Sequence, residues 1–556
     1  MKLKQIASYV REHGLRSSAV LTVDRLLKRQ APEIPYEIWL SRNRPSSHDY
    51  TKMEKTLPAR SILIGVTAAM PQRDRTAFVQ SLEMQVYHHF RALKNCEDAQ
   101  YVLIVNGPCT LRPDLLWECV SLLNQERGDR IDLIYFDSDW IGEDGKKGDP
   151  AFRPDFDPDL LEQVNYMGNV VLVRYSVMKE AGGVPDGDVE YDAFLRRVCL
   201  REKAAPLANE CMRVRHIPKI LYHAAGEYPE GGSADSLQSS NESGEASLPD
   251  DSLSGQEPLI SVLIPNKDHS EDLRQCVESL LHVNTWQNLE ILILENHSTE
   301  KATFDLYRQL EEADSRIRIL TWDAPFNYSA VNNFGAEQAR GKYLLLLNND
   351  TRILAPGSVK QMEALASRPQ TGAVGALLLY PDGHVQHAGI ILGHGGVAGH
   401  AWQGELPRAV NAGYPGLVFS HTHNVCAVTG ACMMLRKEVW DAAGGMDPVF
   451  GVTFNDVDLC MRIRRGGLRI LICPEACLEH DESLSRGAED SPEKVERFHA
   501  EISAFVKRWG KELEEGDPFY NPCLTLTGRS WTCKDDLRET VKPYLKYAAM
   551  FQEMRD

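Results

Sequence analysis

The sequence predicts an α/β protein in which mostly parallel sheets are covered by helices on both faces. Strand-like and helix-like segments alternate along the chain, and Tyr343–Leu347 is a tyrosine followed by four leucines. A strand that is apolar at consecutive positions fits a parallel sheet buried on both sides, and the alternation predicts the same arrangement. Segments of the first half also recur in the second, which predicts two related domains.

Each predicted element is a short apolar run or an amphipathic pattern. The strand-like runs are Ser61–Thr67, Tyr101–Val105, Ile260–Ile264, Leu289–Leu294, Arg318–Leu320 and Tyr343–Leu347. Helical patterns lie between the later runs, at Glu271–Leu281 and Ala302–Glu312. We expect the strands to form a sheet whose carboxyl ends share one edge, where open α/β folds bind ligands.

Length and composition narrow the classes of function. A chain of 556 residues is too long for a single hydrophobic core, so more than one domain is expected. A content of 43% hydrophobic and 25% charged residues is ordinary for a globular protein. A formal net charge of −18 argues against general binding of nucleic acids, which requires basic surfaces. Thirteen scattered cysteines favour reduced thiols in a cytosolic protein, and no apolar run is long enough to cross a bilayer.

Two segments differ from the rest of the chain. Residues 1–35 predict a basic helical segment, which would either lie on an anionic membrane surface or dock on the body of the protein. Residues 227–257 contain eight serines and eight acidic residues without Lys or Arg, so we expect a disordered linker. It would join a domain at 36–226 to a domain at 258–556.

The two halves can be aligned with each other. The segment YVLIVNGP at 101–108 lies over YLLLLNND at 343–350, so Pro108 stands where the second half has Asp350. Further matches join AGG and EYD in the first half to AGG and DVD in the second, at 181–183, 190–192, 443–445 and 456–458. We infer a duplication in which the first copy has lost a carboxylate.

Polar residues follow the predicted strands of the second half. They occur at Pro265–Asp268, Glu295–Ser298 and Asn348–Asp350, and further polar clusters lie at Asn455–Asp458 and Glu479–Gly487. Asn and Asp also favour turns for local hydrogen-bonding reasons. A simple turn at Asn348–Asp350 is therefore the alternative to a binding site.

In this order the motifs resemble those of family-2 glycosyltransferases with the GT-A fold. The resemblance is closest to the tandem-domain branch of bacterial rhamnosyl, O-antigen and capsule sugar transferases, and it covers Leu259–Leu526 and, more weakly, Tyr36–His223. It implies two GT-A-like, Rossmann-like domains. The first would be degenerate, and the second catalytic with a C-terminal helical extension.

The resemblance implies roles for individual residues. Asp350, in a motif with a single acidic residue, and His480 would hold Mg²⁺ or Mn²⁺, and Arg486 would lie near the leaving diphosphate. Asp456 would be the catalytic base, with helix capping as the alternative. Asp458 would instead support the loop or Arg462.

The resemblance also implies a nucleotide pocket. Pro265, Asp268, Glu295 and Asn349 would bind the donor, with Glu295 against a uracil or thymine ring. Glycine and histidine residues between Gly383 and Thr429 fit neither a dinucleotide loop nor a closed zinc site, so these loops are expected to choose the acceptor. Cys473 and Cys477 are expected to be core residues.

The implied activity is inverting transfer of a sugar from a nucleotide-diphosphate sugar to a glycan or lipid-linked glycan acceptor. Such a reaction belongs to the biosynthesis of bacterial surface polysaccharide. The expected location is cytoplasmic, with peripheral contact with the inner membrane. The alternative is a non-catalytic protein that binds glycans or organises a polysaccharide-assembly complex.

Overall fold

The computed structural model describes most of the chain. The described residues are 34–56, 58–95, 98–125, 130–142, 147–200, 213–225, 257–407, 414–481, 492–528, 531–534 and 545. The predicted basic segment at 1–35 lies almost wholly outside these residues, and so does the predicted linker at 227–257.

The first half forms a mixed sheet flanked by helices. Its strands lie in the order β2-β1-β3-β7-β5-β8-β4, with β6 paired to β5. The strands are β1 (Ile64–Ala69), β2 (Phe90–Ala92), β3 (Tyr101–Asn106), β4 (Cys109–Leu111), β5 (Leu133–Ile141), β6 (Lys147–Ala151), β7 (Val170–Arg174) and β8 (Val214–Ala225). The helices are α1 (Tyr36–Asn43), α2 (Ser47–Lys55), α3 (Gln72–Glu83), α4 (Leu115–Leu123), α5 (Pro158–Gln163), α6 (Tyr175–Glu180) and α7 (Asp188–Cys199).

The second half forms a larger sheet of the same kind, in the order β11-β10-β9-β12-β19-β14-β20-β13. Its strands are β9 (Ile260–Asn266), β10 (Leu289–Glu295), β11 (Ile317–Thr321), β12 (Tyr343–Leu347), β13 (Thr351–Ile353), β14 (Thr371–Leu379), β15 (Val385–His387), β18 (His423–Asn424), β19 (Cys432–Arg436) and β20 (Arg469–His480), while β16 (Ile390–Leu392) and β17 (Ala398–His400) form a separate hairpin. The helices are α8 (Ser270–Glu278), α9 (Lys301–Ala313), α10 (Tyr328–Gln338), α11 (Ser358–Ala366), α12 (Tyr414–Leu417), α13 (Lys437–Ala443), α14 (Asn455–Arg465) and α15 (Pro492–Glu515).

The α/β class is confirmed, but the sheets are less parallel than predicted. Strands β11, β10, β9 and β12 are parallel neighbours, as the alternation with helices predicted. Beyond β12 the sheet is mixed, because β19 runs antiparallel to both β12 and β14. The expectation of a mostly parallel sheet was therefore wrong for this side, where the pairing register shifts at three points and short antiparallel strands also occur.

The strand registers relate the two halves closely. In the second half β13 pairs antiparallel with β20, and Thr351 lies opposite His480. In the first half β4 pairs antiparallel with β8, and Cys109 lies opposite Ala224. Pro108 and Ala224 thus occupy the places that Asp350 and His480 hold in the second half.

Buried polar contacts and apolar packing join the halves. Asn521, beyond α15, donates hydrogen bonds to Asp137 at 2.8 Å and to the carbonyl of Arg153 at 2.9 Å. One hydrophobic cluster contains residues of both halves, among them Tyr135 and Trp402. The division at 227–257 stays a prediction, since the described residues form a continuous interior across it.

Helix α15 is fixed to α14 through one buried carboxylate. Asp458 is fully buried and accepts hydrogen bonds from Arg462 at 2.8 Å, from Arg508 at 2.7 Å and from the indole of Trp509 at 3.0 Å. The predicted support of Arg462 by Asp458 is present. Among the described helices, none is both long and apolar enough to span a bilayer.

Replacing Asp458 with alanine is expected to lower the free energy of unfolding by about 2–4 kcal/mol, because one indole N–H and two guanidinium groups lose their acceptor. Urea unfolding followed by tryptophan fluorescence measures this change. Asp441→Ala is the control, since that carboxylate is 60% exposed beside Lys437, and we expect a change within about 0.5 kcal/mol. Equal losses in the two variants would contradict the role assigned to Asp458.

Candidate functional site

The carboxyl ends of three parallel strands meet at one edge of the second sheet. Asn349 follows β12 and donates a 2.6 Å hydrogen bond to the side chain of Asn266, the last residue of β9. The Asn266 amide in turn donates to the Tyr307 hydroxyl at 2.8 Å, and that hydroxyl donates to Glu295 at the end of β10 at 2.5 Å. The polar groups after the strands therefore form one continuous network, as the parallel arrangement predicts.

Asp350 and His480 come together beside this network. The Nε2 atom of His480 lies 3.3 Å from Oδ1 of Asp350, and both side chains are at most 5% exposed. The register of β13 with β20 causes this proximity, because Asp350 directly precedes β13 and His480 ends β20. Although these two residues are 130 positions apart in the sequence, a carboxylate oxygen of one and a ring nitrogen of the other thus lie side by side.

Further negative charge surrounds Asp350. The backbone N–H of Asp481 donates to the carbonyl of Asp350 at 3.1 Å. Burial, and then the charges of Asp350 and Asp481, raise the pKa of Asp272 on α8, while nearby His269 opposes the rise. Excess negative charge at a strand edge favours the binding of a cation.

The residues fit a divalent cation that also binds a diphosphate. Mg²⁺ and Mn²⁺ take oxygen ligands and are commonly held by one or two protein carboxylates together with phosphate oxygens. Asp350 offers a carboxylate oxygen, and His480 offers an imidazole nitrogen next to it. Within the described ranges, no group of three or more His, Cys, Asp or Glu residues could hold a metal ion by itself. A diphosphate would supply the remaining ligands.

The predicted donor residues line the same edge, with their side chains held firmly. Asp268 accepts backbone hydrogen bonds from Thr299 at 2.7 Å and Glu300 at 2.8 Å. Although partial burial acts to raise it, these bonds keep the pKa of Asp268 below its usual value. Both Glu295 oxygens accept from Ser298, and one also accepts from Tyr307. The predicted contact of Glu295 with a nucleobase would have to share oxygens that already bind these groups.

Unusual backbone conformations concentrate around the site. Asp268, His269 and His297 have φ values of 55°, 50° and 56°, and Phe454, directly before the Asn455–Asp458 motif, has φ of 60°. Non-glycine residues rarely adopt positive φ, and such strain gathers at binding and catalytic sites. The strained residues flank the network at the strand ends on one side and Asp456 on the other.

Asp456 lies in the first turn of α14. Its Oδ1 accepts from the N–H of Val457 at 2.8 Å, but the N-cap of α14 is Phe454, so Asp456 does not hold the position that the helix-capping alternative would give it. Its Oδ2 also accepts from the N–H of Gly430 at 3.0 Å, so the carboxylate faces a neighbouring loop as well as its own helix. Burial, with a contribution from Asp456, raises the pKa of the nearby Cys460 thiol to about 12, so that this neighbour stays neutral.

Tyr328 links Asp456 to the Asp350 side of the site. Its hydroxyl donates to the carbonyl of Gly430 at 2.8 Å and lies 3.4 Å from Oδ1 of Asn348. The Asn348 amide nitrogen lies 3.4 Å from Nε2 of His480. Asp456, Asn348, His480 and Asp350 thus lie along one short path of polar contacts, as predicted for residues of one site.

His387 supports the loop that contacts Asp456. The backbone N–H of Thr429 donates to Nε2 of His387 at 3.3 Å, and Nδ1 of His387 lies 3.0 Å from Nδ1 of His400. Since Nε2 accepts, the neutral His387 ring carries its proton on Nδ1 and donates it to His400. Burial, His400 and His480 lower the pKa of His387 well below its usual value, which keeps the ring neutral.

A buried glutamate on α15 fixes the loop before Asp456. Glu501 accepts backbone hydrogen bonds from Gly451 at 3.1 Å, Val452 at 3.2 Å and Thr453 at 2.8 Å, as well as the Thr453 hydroxyl. No motif in the sequence indicated Glu501 or the backbone of Gly430, and His387 was indicated only as one of the histidines between Gly383 and Thr429. Glu501 could have drawn attention because it falls on the apolar face of an amphipathic helix, where a glutamate is unusual.

The corresponding cleft in the first half has different contacts. Asn106, which corresponds to Asn348, donates a 2.8 Å hydrogen bond to Asp188 at the start of α7. In the second half, Asn348 faces His480 and Tyr328 instead. The predicted diphosphate ligand Arg486 lies outside the described residues, so its role stays a prediction.

Comparisons with known proteins show which family this chain resembles. Residues 257–504 match the family model described as Glycosyltransferase like family 2. The chain is 36% identical over 458 residues to the O-antigen biosynthesis protein RfbC of Myxococcus xanthus, covering 77% of this chain and 34% of that protein. It therefore spans about a third of the length of that relative.

Two further likenesses are more distant. The chain is 26% identical over 254 residues to the N-acetylglucosaminyl-diphospho-decaprenol L-rhamnosyltransferase of Mycobacterium tuberculosis, covering 41% of this chain and 77% of that protein. A crystal structure of GalNAc-T7 with UDP, GalNAc and Mn²⁺ gives a TM-score of 0.37 at 14% identity, over 46% of this chain and 49% of that chain. The resemblance to family-2 glycosyltransferases that the motifs indicated is confirmed by the family match and by the relatives from Myxococcus xanthus and Mycobacterium tuberculosis.

His423, on β18 of the same region, provides a test that depends on pH. Burial lowers its pKa to about 4, although its contact with the carbonyl of His421 opposes this. Between about pH 6.5 and about pH 4 the unfolded chain therefore binds a proton that the folded chain does not, so stability falls as the pH drops through this window. Compared with His423→Gln, the wild type should lose about 2–3 kcal/mol more between about pH 7 and about pH 4.5. Urea unfolding of both proteins at each pH measures this, and parallel losses would contradict a buried neutral His423.

Proposed function

We propose that this chain, whose residues 257–504 match glycosyltransferase family 2, is an inverting glycosyltransferase of polysaccharide biosynthesis. The donor would be a nucleotide-diphosphate sugar and the acceptor a glycan or lipid-linked glycan. The observation that carries the proposal is the juxtaposition of Asp350 and His480 at 3.3 Å, joined through Asn348 and Tyr328 to the loop that contacts Asp456.

The donor would bind at the edge formed by β9, β10 and β12. Asp350 and His480 would hold Mg²⁺ or Mn²⁺, which would neutralise charge on the diphosphate. Asn349 and Asn266 would border the diphosphate, and Pro265 and Asp268 the nucleoside. We assign Glu295 the task of fixing the Ser298 turn against this pocket, because that is where its oxygens are bonded.

Asp456 would act on the acceptor side. As the acceptor oxygen attacks the anomeric carbon, its proton passes to an Asp456 carboxylate oxygen. The new bond forms opposite the bond to the phosphate oxygen, which breaks with its electrons, so the configuration at the anomeric carbon inverts. The Gly430 N–H at 3.0 Å and the helix N-terminus stabilise the ionised carboxylate before the reaction.

The competing function, glycan binding or scaffolding without turnover, is favoured by one observation in the first half. Pro108 and Ala224 hold the positions of Asp350 and His480 there, and neither can bind a metal through its side chain. The second half retains both groups and the neighbouring carboxylates. Release of nucleotide diphosphate separates the two proposals: with Mn²⁺, the wild type should hydrolyse at least one of UDP-glucose, UDP-N-acetylglucosamine, GDP-mannose and dTDP-rhamnose, and hydrolysis of none would favour the binding protein.

Asp456→Asn should slow turnover without weakening donor binding, whereas Asp350→Ala should impair metal-dependent donor binding. Asp456→Asn removes a proton acceptor and should lower turnover at least about 100-fold while the donor dissociation constant with Mn²⁺ stays within about twofold. Asp350→Ala removes a predicted metal ligand and should abolish the Mn²⁺ dependence of donor binding. Isothermal titration calorimetry and release of nucleotide diphosphate measure both quantities.

Asp441→Asn serves as the control, because that carboxylate lies on the exposed side of α13. It should leave both donor binding and turnover unchanged. If Asp456→Asn weakened donor binding and Asp350→Ala slowed only turnover, the two assigned roles would be reversed.

His387 should act on turnover through the Thr429–Gly430 loop. His387→Phe keeps a ring but cannot accept the Thr429 N–H, so the loop should loosen and the turnover number should fall about 10-fold to 100-fold at unchanged donor KM. His387→Gln offers an acceptor oxygen and should recover part of the loss. Steady-state kinetics with the donor that the wild type hydrolyses measure this, and equal activity of the two variants would argue against positioning by His387.

A further inference from the structure

The acceptor segment is Gly383–Thr429, and its described residues, 383–407 and 414–429, contact both halves of the chain. Described residues in it alternate in direction: Ile390 and Leu392 belong to the core of the second half, whereas Ile391 belongs to the cluster that contains the first-half core. Six other apolar residues of the segment join that cluster, namely Val385, Ala388, Ala401, Trp402, Val418 and Phe419. One face of the segment therefore belongs to a hydrophobic cluster that the first half shares.

Buried hydrogen bonds fix the end of this segment to helix α5 of the first half. Asn424 donates from its backbone to Asp157 at 2.8 Å, and from its side chain to Asp157 at 2.6 Å and to Asp159 at 2.8 Å. Gln163, at the other end of α5, donates to the carbonyl of Thr422 at 2.8 Å and accepts from its N–H at 3.2 Å. Asp157 and Asn424 are fully buried.

Charge pairing strengthens the same contact. Asp159 lies 3.3 Å from a guanidinium nitrogen of Arg368 and 3.3 Å from one of Arg469, both in the second half. Asp159 and Arg469 are almost wholly buried, where such pairs need well-defined geometry to offset the loss of hydration. The α5 surface thus matches this part of the second half closely.

Six residues connect this anchor to the candidate base. Asn424 on β18 is followed by a buried stretch in which Ala427 bridges to Ile390, and Val428 lies where a Cβ on Gly375 would meet it at 2.6 Å. Thr429 then contacts His387, and Gly430 donates to Asp456. A tightly packed stretch has little freedom to absorb a shift, so a displacement at Asn424 would reach Gly430.

We propose that the first half positions the acceptor segment, so that it helps to select the glycan acceptor rather than to bind the sugar donor. This inference rests on the proposed function, because it assigns acceptor binding to the loops beside Asp456. The acceptor would contact residues of the acceptor segment, which belongs to the catalytic half. Helix α5 of the first half would hold that segment in place. Such a role accounts for the close fit at α5 in a half where Pro108 and Ala224 replace the metal-binding pair.

The experiment compares two kinds of contact between the halves. Gln163→Ala removes hydrogen bonds to the acceptor segment from a side chain at the surface, and Asn424→Ala removes the buried amide. Asn521→Ala is the matched control, because Asn521 is similarly buried and its side-chain amide donates to Asp137 and to the carbonyl of Arg153, both in the first half. Each full-length variant is assayed for donor hydrolysis by water and for transfer to octyl glycosides of glucose, galactose and N-acetylglucosamine.

Gln163→Ala and Asn424→Ala should raise the acceptor KM at least about fivefold while the donor KM stays within about twofold, and Asn521→Ala should leave acceptor KM, donor KM and hydrolysis unchanged. Hydrogen exchange of residues 414–430 should be faster in the first two variants than in the control, a readout that needs no activity. Unchanged exchange there, or equal changes in all three variants, would overturn the inference. A wild type without hydrolysis or transfer would instead sink the proposed function, and the exchange result would still decide whether the first half holds the segment.

Discussion

The antiparallel pairing of the short strand β13 with the end of β20 is the constraint on which the site depends. It sets Thr351 opposite His480, and the residue before Thr351 is the carboxylate that then meets the histidine. A slip of one residue would turn His480 to the other face of the sheet. The bulge between Ala376 and Leu377 in the β14–β20 pairing brings β20 into this register, so an irregularity of the sheet contributes directly to the geometry of the site.

The two halves share one architecture but place different residues at the same point in it. Both have an antiparallel strand pair at the same place, but the first half places Pro108 and Ala224 there and joins Asn106 to Asp188. Three of its buried carboxylates bond residues of the other half: Asp157 and Asp159 bond Asn424, and Asp137 bonds Asn521. We therefore propose that the first half positions the acceptor segment and that the second half carries out the sugar transfer.

The sequence was most informative where local chemistry alone determines structure. Tyr343–Leu347 could be identified as a strand because it is apolar at every position, and the structure gives it those bounds. Asp350 and Asp456 could be singled out because polar groups followed strands or opened a helix. The segment Cys432–Arg436 has the sequence CMMLR, without the β-branched or aromatic residues that favour a strand, and its antiparallel direction depends on pairing with β12 and β14.

Other parts of the site could not be predicted, because they arise from contacts between distant segments. The N–H of Gly430 contacts Asp456, and the imidazole of His387 contacts Thr429, only because separate loops come together in the fold. A backbone N–H is present in almost every residue, so the sequence cannot indicate which one will make such a contact. The sequence does not show that Glu501 accepts hydrogen bonds from three backbone N–H groups, because these groups belong to a loop that precedes it by about fifty residues. The anchoring of the acceptor segment by α5 requires the placement of one half against the other.

Electron spin echo spectroscopy of Mn²⁺ bound together with UDP tests the central claim most directly. Because the account places the His480 imidazole beside Asp350 at the metal, the wild type should show a nitrogen coupling to Mn²⁺ that disappears in His480→Ala and persists in His387→Gln. A wild-type spectrum without nitrogen coupling, or one that His480→Ala leaves unchanged, would contradict the account.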